Sequence, residues 1–367
     1  MQNIVLIGAG AINRGFIPWI LPDNKYEFIY VDVDPFIIST LKQNKQFTTY
    51  CSKNGKLEKK IVPVKEAYLL EEFNFKNIKN VLVIFISVGP RNCLHAASVL
   101  KETNVDIILL ENDPETVNIV KNSLNYNKVY FGIPDVITSN TSSEEVLKLN
   151  PLAINTEDGV LFVDNGADKI FGNINYCSKE ELEKQWTAKL YLHNTPHCIA
   201  AYLGSLMGVK YLHDAMNYPK IYKIVEGAMN EMLMALKSRW DIAHPFLEWY
   251  SEKELRRFSN ELLCDPISRV AREPLRKLEL DGRLIGAAQI CLSVGFTPDN
   301  ILTGIVSALL FVNKNDPDNH LEFMRKAFSS RMLMTYILGL RKGEALEIIL
   351  EERFESIAKN LEKIINE

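Results

Sequence analysis

The sequence predicts an α/β domain built on a mainly parallel sheet, followed by an all-helical domain. Three observations lead to this prediction. The first half alternates short apolar runs with segments of helix length, whereas the second half loses the strand signals and shows long helical periodicities. In addition, 367 residues suit two domains of about 150–200 residues each. We place the two domains at residues 1–185 and 186–367.

Five apolar runs in the first half predict strands that are buried on both faces. They are rich in Val, Ile, Leu and Phe without strict polar alternation, which is typical of a parallel sheet covered by helices. They are Asn3–Ile7, Phe28–Val33, Val81–Ser87, Asp106–Leu110 and Val129–Gly132. Helices are predicted between them at Pro35–Gln43 and Arg91–Glu102. Leu152–Asn155 and Val160–Asp164, joined by a turn that ends in Gly159, predict an added hairpin.

The second half predicts helices only, and several prolines fall near the junctions between them. Such a domain is expected to follow the α/β domain, with an active site in the cleft between the two. The predicted helices are Ile199–Met207, Lys220–Trp240, Asp265–Arg272, Arg283–Gly295, Ile301–Phe311 and Ala345–Ile364.

Composition and charge restrict the class of protein. The formal net charge is −4, with 42 Lys and Arg against 46 Asp and Glu, so the basic excess of a nucleic-acid binder is missing. No apolar run approaches the ~20 residues of a membrane span, and the first residues lack the charged segment of a signal peptide. The 6 cysteines show no CxxC spacing and the histidines no metal-binding spacing. We expect a reduced cytoplasmic protein without a metal, a nucleic-acid partner or a membrane.

A glycine turn joins the first predicted strand to a helix. Gly8 permits a tight turn, and Gly10 lets the backbone amides of Ala11 and Ile12 approach a pyrophosphate at the helix start. Asp32 ends the next strand, about 20 residues on, where a carboxylate accepts hydrogen bonds from ribose hydroxyls and repels a 2′-phosphate. This context predicts a Rossmann-like domain that binds NAD. The alternative is an ordinary glycine turn and a surface aspartate.

A second turn follows the third predicted strand. It contains Gly89 and Pro90, and in a Rossmann-like domain its backbone is expected to line the nicotinamide side of the cofactor site. Without that context the same residues indicate only a turn.

The densest polar cluster of the second half combines Lys189, Asn194 and His197. On a continuous α-helix these residues would lie within about 140° of one another. Pro196 disturbs this arrangement, since Thr195 and Pro196 also suit the start of a new helix. A lysine acts as a general base where burial and neighbouring charge lower its pKa, and an amide and an imidazole can hydrogen-bond the reacting oxygen. This set of residues suits metal-free oxidation of a secondary alcohol. The alternative is a surface lysine with a half-buried Asn and His.

The segment from Lys189 to Gly204 resembles the signature of the polyol-specific long-chain dehydrogenase/reductase family, and most closely its mannitol-1-phosphate 5-dehydrogenase branch. Four further stretches are similar to that branch, although Asn13 stands where the family usually has glycine. They are Gly8–Ile17, Val88–Pro90, Arg257–Asn260 and, in the basic region, Arg272–Ile285.

The resemblance implies that Lys189 is the general base and that Asn194 and His197 contact the reacting oxygen. It also implies that Asn112 is a polar contact near nicotinamide and substrate. His193 is interpreted as structural.

Five cations crowd a short stretch of this acidic chain. Guanidinium groups suit a phosphate monoester and a lysine adds a point charge, so the resemblance favours phosphate binding and we assign it to Arg272, Arg276 and Lys277. The alternative is a solvated helix face that pairs with nearby glutamates. The five are Arg269, Arg272, Arg276, Lys277 and Arg283.

The predicted function is therefore NAD-dependent, metal-free interconversion of mannitol 1-phosphate and fructose 6-phosphate by a monomer or homodimer. Two alternatives stay open. One is the same chemistry on an unphosphorylated hexitol or a hexuronate, and the other is an NAD-binding protein that has lost catalysis.

Overall fold

The computed structural model describes residues 1–101 and 103–366. The chain forms two compact units. The first contains residues 1–186 and 262–264, and the second contains residues 187–261 and 265–367.

The first unit is built on a mainly parallel sheet. Among the described residues, eight strands join it in the spatial order β11-β10-β8-β7-β6-β1-β2-β5, and β8 and β10 are the antiparallel pair. Its centre follows from sequence, since β1 carries only apolar residues after its first two positions and pairs in parallel with β2 and β6. The strands are β1 (Gln2–Ile7), β2 (Tyr26–Asp32), β3 (Gln46–Lys53), β4 (Lys56–Pro63), β5 (Glu66–Leu69), β6 (Val81–Ile86), β7 (Asp106–Leu109), β8 (Val129–Asp135), β9 (Ile154–Glu157), β10 (Val160–Asp164) and β11 (Ile174–Cys177).

Helices and loops cover both faces of this sheet. One apolar cluster includes Leu6, Phe16 and Tyr30, and the other includes Val5 and Ile29, so alternate residues of β1 and β2 enter opposite cores. The helices are α1 (Ile17–Ile20), α2 (Pro35–Asn44), α3 (Cys93–Ala97), α4 (Thr116–Leu124), α5 (Glu144–Leu149) and α6 (Lys179–Ala188). The predicted helix over 91–102 is shorter than expected, and Glu102 itself lies outside the described residues.

The predicted hairpin of residues 152–164 is wrong. β9 pairs in parallel with β3, whereas β10 joins the main sheet between β8 and β11. The hairpin of the first unit lies instead at β3 and β4, where Asn54 and Gly55 both have positive φ. Asn-Gly is the usual dipeptide of such a turn because both central residues need left-handed φ.

The second unit is helical. Its central helix, α7, is buried from Thr195 to Gly204, which explains its apolar composition. Gly304 of α14 makes the close contact with α7 possible, because a Cβ there would lie 2.4 Å from Ile199 Cγ1. The helices are α7 (Thr195–Leu206), α8 (Leu212–Met216), α9 (Pro219–Arg239), α10 (His244–Phe258), α11 (Ile267–Ala271), α12 (Pro274–Lys277), α13 (Ile285–Ser293), α14 (Asp299–Leu310), α15 (Leu321–Ala327), α16 (Ser330–Met332) and α17 (Ala345–Asn366).

The predicted order of an α/β domain followed by a helical domain is confirmed. Across the described ranges, no helix combines the length and the low charge needed to cross a bilayer.

Glu231 joins two helices of the second unit through a buried carboxylate. Its Oε1 accepts hydrogen bonds from Asn300 N at 2.9 Å and Asn300 Nδ2 at 2.7 Å, and its Oε2 accepts from Ile301 N at 3.0 Å. These donors belong to the first turn of α14, whose amides have no partner within the helix. Glu231 therefore caps α14 from α9.

Replacement of Glu231 by alanine is expected to lower the free energy of unfolding by about 2–4 kcal/mol, because buried donors lose a charged acceptor. Chemical denaturation followed by far-UV circular dichroism measures this change. Asn230→Ala is the matched control, since Asn230 is the exposed preceding residue of the same helix. Equal destabilisation by the two substitutions would contradict the capping role.

Candidate active site

The glycine turn after β1 has a geometry that other residues do not fit. Gly8 has a φ of +90°, and a Cβ on it would lie 2.1 Å from the carbonyl oxygen of Ser87. Gly8 N also donates to Val31 O at 2.7 Å. The turn is thus held between the ends of β2 and β6.

Beyond this turn the chain becomes partly exposed at Gly10, Ala11 and Ile12. A Cβ on Gly10 would meet no atom within 4 Å. The backbone N–H groups of Ala11 and Ile12 find no acceptor in the described part of the chain. Open space beside unpaired amides at the start of a helical turn fits a diphosphate.

Asn13, which stands where the family usually has a glycine, supports the turn through its side chain. Its buried Nδ2 donates to Ile7 O at 3.0 Å and to Gly8 O at 2.9 Å. The side-chain amide therefore fixes the two carbonyls that begin the turn, from the first turn of the π-helix Ala11–Phe16.

Asp32 lies at the end of β2, half-buried, where the sequence places it. Its Oδ2 accepts from Ala9 N at 2.5 Å and its Oδ1 accepts from Asp34 N at 2.9 Å. Each carboxylate oxygen keeps further acceptor capacity, so Asp32 can close the glycine turn and still accept hydroxyl groups.

Glu111 holds the second turn, and sequence reasoning missed it. Its buried Oε1 accepts from Val88 N at 2.7 Å and Gly89 N at 3.1 Å. Gly89 has a φ of +87°, and Pro90 begins the short 3₁₀ helix that follows. Asn112, the next residue after Glu111, is exposed. These residues and Asp32 follow parallel strands and share one edge of the sheet.

In the second unit, Lys189 and Asn194 lie on a π-helical turn that runs into α7. The segment Lys189–Asn194 is π-helical, and Thr195, the first residue of α7, stays in the right-handed helical region, so the helical backbone is continuous across Thr195 and Pro196. Because i→i+5 pairing closes a π turn, Lys189 lies one turn from Asn194, which lies one α turn from His197. The three residues therefore form a column along one side of the helix. Their angular spread about the helix axis is smaller than the spread expected for a regular α-helix.

All three members of this column are buried, with exposed fractions of 7%, 5% and 5% for Lys189, Asn194 and His197. Asn194 Nδ2 is buried and has no acceptor among the residues that the structure describes. A buried amide without a partner is costly and is typical of a group that a ligand satisfies.

His197 is fixed by Asp265, a residue that the sequence analysis did not single out. The imidazole Nε2 lies 3.0 Å from Asp265 Oδ2, and Arg269 Nε and Nη2 donate to Asp265 Oδ1 at 2.8 and 2.5 Å. Burial opposes ionisation of Asp265, but the charge of Arg269 and the hydrogen bonds from His197 and Arg269 lower its pKa. Asp265 is therefore an acceptor near neutral pH.

The same contacts set the state of the imidazole. Burial lowers the pKa of His197 and the charges of Arg269 and Arg283 lower it further, against the raising effect of Asp265. A neutral His197 that faces a carboxylate carries its proton on Nε2 and leaves Nδ1 as an acceptor. The one N–H of His197 is thus directed at Asp265, and the predicted contact of His197 with the reacting oxygen stays a prediction.

Phe258 and His193 flank the imidazole. The Phe258 ring stacks on His197 at 5.1 Å between centroids with an interplanar angle of 16°, and the two imidazoles lie 4.9 Å apart. His193 Nδ1 lies 2.5 Å from Oε2 of the buried Glu254, which also contacts Arg257. Packing and a second carboxylate thus restrict the His197 ring.

The cations of the basic run have different surroundings. Arg272 is exposed, and Arg276 is bonded to Glu273 at 3.3 Å. Lys277 is 2% exposed and its Nζ donates to Val270 O at 2.6 Å and to Arg272 O. This burial is not what a solvated helix face predicts. Phosphate binding by Arg272, Arg276 and Lys277 stays a prediction.

Comparison with known proteins adds the family. The model described as the mannitol dehydrogenase Rossmann domain matches residues 2–128, and the model described as the mannitol dehydrogenase C-terminal domain matches residues 181–352. A mannitol-1-phosphate 5-dehydrogenase of Thermoanaerobacter pseudethanolicus is 30% identical over 99% of this chain and 100% of its own length. The chain belongs to the mannitol dehydrogenase family.

Other members of the mannitol dehydrogenase family agree in sequence and fold. The mannitol-1-phosphate 5-dehydrogenase of Bacillus subtilis is 24% identical over 94% of this chain and 97% of its own length. The structure of Pseudomonas fluorescens mannitol 2-dehydrogenase, a ternary complex with NAD and D-mannitol, is 15% identical with a TM-score of 0.71. That comparison covers 100% of this chain and 94% of the other. The resemblance to this family in the sequence is thereby confirmed.

As a mannitol dehydrogenase family member, the protein is a polyol dehydrogenase, an oxidoreductase that acts on a CH–OH group. Within residues 1–101 and 103–366, no group of three or more His, Cys, Asp or Glu side chains is placed to hold a metal ion.

Proposed function

We propose that this protein interconverts mannitol 1-phosphate and fructose 6-phosphate with NAD(H), and that Lys189 is its acid–base group. The column of Lys189, Asn194 and His197 carries this proposal, above all the buried Asn194 amide without an acceptor. Names of the curated relatives support the choice of substrate, and the fold of the first unit supports the choice of cofactor.

In the direction of ketone reduction, the Lys189 ammonium donates a proton to the carbonyl oxygen, which becomes the hydroxyl oxygen of the product. In the reverse direction the neutral amine accepts that proton. Asn194 Nδ2 donates a hydrogen bond to the same oxygen and stabilises its developing negative charge. Lys189 and Asn194 together stabilise the negative charge that develops on the oxygen, so the proposed chemistry needs no metal.

His197 has a different part in the proposed mechanism. With its proton on Nε2 and directed at Asp265, its Nδ1 accepts a hydrogen bond from a substrate hydroxyl and orients the sugar chain. Asp265 is a positioning residue, because it acts through His197.

Residues of the first unit fit a dinucleotide. The amides of Ala11 and Ile12 would take the diphosphate beside Gly10, and Asp32 would accept the hydroxyls of the adenosine ribose. The turn of Gly89 and Pro90, with Asn112, would lie on the nicotinamide side. Bound NADH supplies the hydride.

Replacement of Asp32 by alanine is expected to reduce the preference for NADH over NADPH about tenfold or more, because a carboxylate that repels the 2′-phosphate is lost. The measurement is the dissociation constant of each cofactor by nicotinamide fluorescence. Asp32→Asn is the control, since it removes the charge but keeps an acceptor for Ala9 N. Equal affinity of the unmodified protein for both cofactors would contradict the assignment.

An NADH oxidation assay with fructose 6-phosphate, fructose and fructuronate tests the whole proposal. We expect fructose 6-phosphate to be reduced with the highest kcat/KM. Preference for fructose or fructuronate would replace the proposed substrate with the unphosphorylated or the uronate alternative. No reaction with any of the three, despite NADH binding, would indicate a binding protein without catalysis.

A further inference from the structure

Of the five cations in the basic run, four have acceptors or are largely in solvent. Arg269 bonds Asp265, Lys277 bonds two carbonyl oxygens, Arg276 contacts Glu273, and the side chain of Arg272 is 60% exposed. Arg283 is half-buried, and its guanidinium has no acceptor in the ranges 1–101 and 103–366. A half-buried cation without a hydrogen-bonded acceptor favours an anionic ligand.

The backbone of Arg283 is anchored beside the proposed catalytic column. Thr195 Oγ1 donates to Arg283 O at 2.5 Å, and the following residue, Leu284, donates its N–H to Lys277 O at 3.2 Å. Thr195 directly follows Asn194 in the helix. Arg283 therefore begins its side chain close to the proposed reacting centre.

A tight turn brings Arg276 toward the same place. A Cβ on Gly282 would lie 2.8 Å from Glu279 O and 3.3 Å from Arg276 O, so the chain folds back on itself between the two arginines. The hydrogen bond from Leu284 N to Lys277 O closes the same turn, so Arg276 and Arg283 are carried on its two sides. Two guanidinium groups on one turn can offer planar donors to a single anion.

The distance fits a six-carbon substrate. In fructose 6-phosphate the reacting carbon and the phosphorus are separated by about six bonds, or ~7 Å when extended. An arginine anchored one residue from Asn194 has a side chain of suitable length to meet an anion at that separation.

We propose that Arg283, with Arg276 beside it, binds the terminal anion of the substrate and thereby selects phosphate monoesters over neutral polyols and ketoses. This inference rests on the proposed function and extends the expected phosphate site to a residue outside the assigned set. A hexuronate carboxylate shares the anionic chemistry, so the test includes both anions.

The test compares Arg283→Ala and Arg283→Lys with the unmodified protein, using fructose 6-phosphate, fructose and fructuronate. Arg283→Ala is expected to lower kcat/KM for fructose 6-phosphate about 10- to 150-fold, the effect of one lost charge-assisted contact. The rate with fructose is expected to change less than about threefold. Arg283→Lys is expected to recover part of the loss, since it keeps the positive charge but lacks the paired planar N–H donors of a guanidinium.

Direct binding provides a second readout. Isothermal titration calorimetry with mannitol 1-phosphate is expected to show a loss of affinity of the same size in Arg283→Ala. The dissociation constant of NADH, measured by fluorescence, is expected to stay unchanged, which shows that the variant is folded. Arg256→Ala is the matched control, because it removes an exposed arginine, 69% exposed, from α10 of the same unit. It is expected to match the unmodified protein in every assay.

Three outcomes would overturn the inference. A parallel loss with fructose 6-phosphate and fructose would make Arg283 structural. A selective loss in Arg272→Ala but not in Arg283→Ala would move the anion site to the exposed arginine. A preference for fructuronate that is lost in Arg283→Ala would mean that the anion bound by Arg283 is a carboxylate and not a phosphate. Absence of activity in the unmodified protein with all substrates would instead contradict the proposed function.

Discussion

Alanine in place of Lys189 is expected to lower turnover by about 10²–10⁴-fold, the usual contribution of general acid–base catalysis. The change removes the only proton donor and acceptor assigned to the reacting oxygen, whereas Asn194 and the cofactor-binding turn stay in place. Turnover is measured by loss of NADH absorbance with fructose 6-phosphate, and NADH binding is followed by fluorescence. The dissociation constant of NADH is expected to stay within about twofold.

Two controls sharpen this prediction. Lys223→Ala removes an exposed lysine of α9 and is expected to leave turnover unchanged. Added primary amines, such as methylamine, are expected to restore part of the activity of Lys189→Ala, because they can replace the missing amine. Retention of more than about a tenth of the activity, or activity that depends on a metal removed by a chelator, would contradict the lysine mechanism.

Asparagine in place of Asp265 is expected to reduce turnover by about 10²-fold. In the protease triad, loss of the carboxylate that orients a catalytic histidine costs about 10⁴; a smaller effect is expected here because His197 is assigned an orienting contact rather than the proton transfer. Arg269 also loses its buried partner, so the thermal midpoint is measured alongside activity. The decisive readout is the pH dependence of kcat/KM.

The direction of the pH effect follows from the contacts of His197. Asp265 raises the pKa of His197, while burial and the charges of Arg269 and Arg283 lower it. Without Asp265 the imidazole protonates at lower pH. The acid limb of the pH profile of kcat/KM is therefore expected to shift to lower pH. A merely structural role for Asp265 would lower the rate without moving that limb.

A second His–Asp pair provides the matched control for Asp265. His213 Nε2 lies 3.2 Å from Asp214 Oδ1 in α8, outside the proposed catalytic column. Asp214→Asn is expected to leave the acid limb where it is. An equal shift in both variants would mean that the limb reports a general electrostatic effect instead of the state of His197.

The parts of the fold and site that were predictable from sequence depend on local signals. The glycines at Gly8 and Gly10, the strand before them and Asp32 after the next strand lie within a short stretch, and each has a stereochemical reason to be there. The proposed catalytic column is likewise local, although its π turn was not predicted. A regular α-helix was assumed there, and nothing in the spacing indicates an extra residue.

Residues that act across long separations were missed. Asp265 meets His197 from a position 68 residues away, and Glu111 holds Val88 and Gly89 from the next parallel strand. A partial signal existed for each. Asp265 and Arg269 have i,i+4 spacing, which favours an ion pair, and Glu111 directly follows an apolar strand. Neither signal identifies the third partner, because that depends on how distant helices and strands pack.

The hairpin prediction failed for a related reason. A turn that contains Gly159 allows residues 154–164 to fold back, but β9 and β10 obtain better partners in separate sheets. The Asn54–Gly55 turn, in contrast, carried a specific hairpin signal that the sequence analysis overlooked.

The π turn at Lys189–Asn194 determines which side of the helix carries Lys189. A π turn holds one residue more than the α turn it replaces, and this brings Lys189 onto the side of Asn194. If the same residues formed a regular α-helix, Lys189 would be rotated by about 100° about the helix axis relative to His197. Deletion of one residue inside the turn would restore α geometry and leave Lys189 and His197 on the same side. The local change from α to π pairing, more than the identity of Leu190 or Leu192, therefore aligns the three residues.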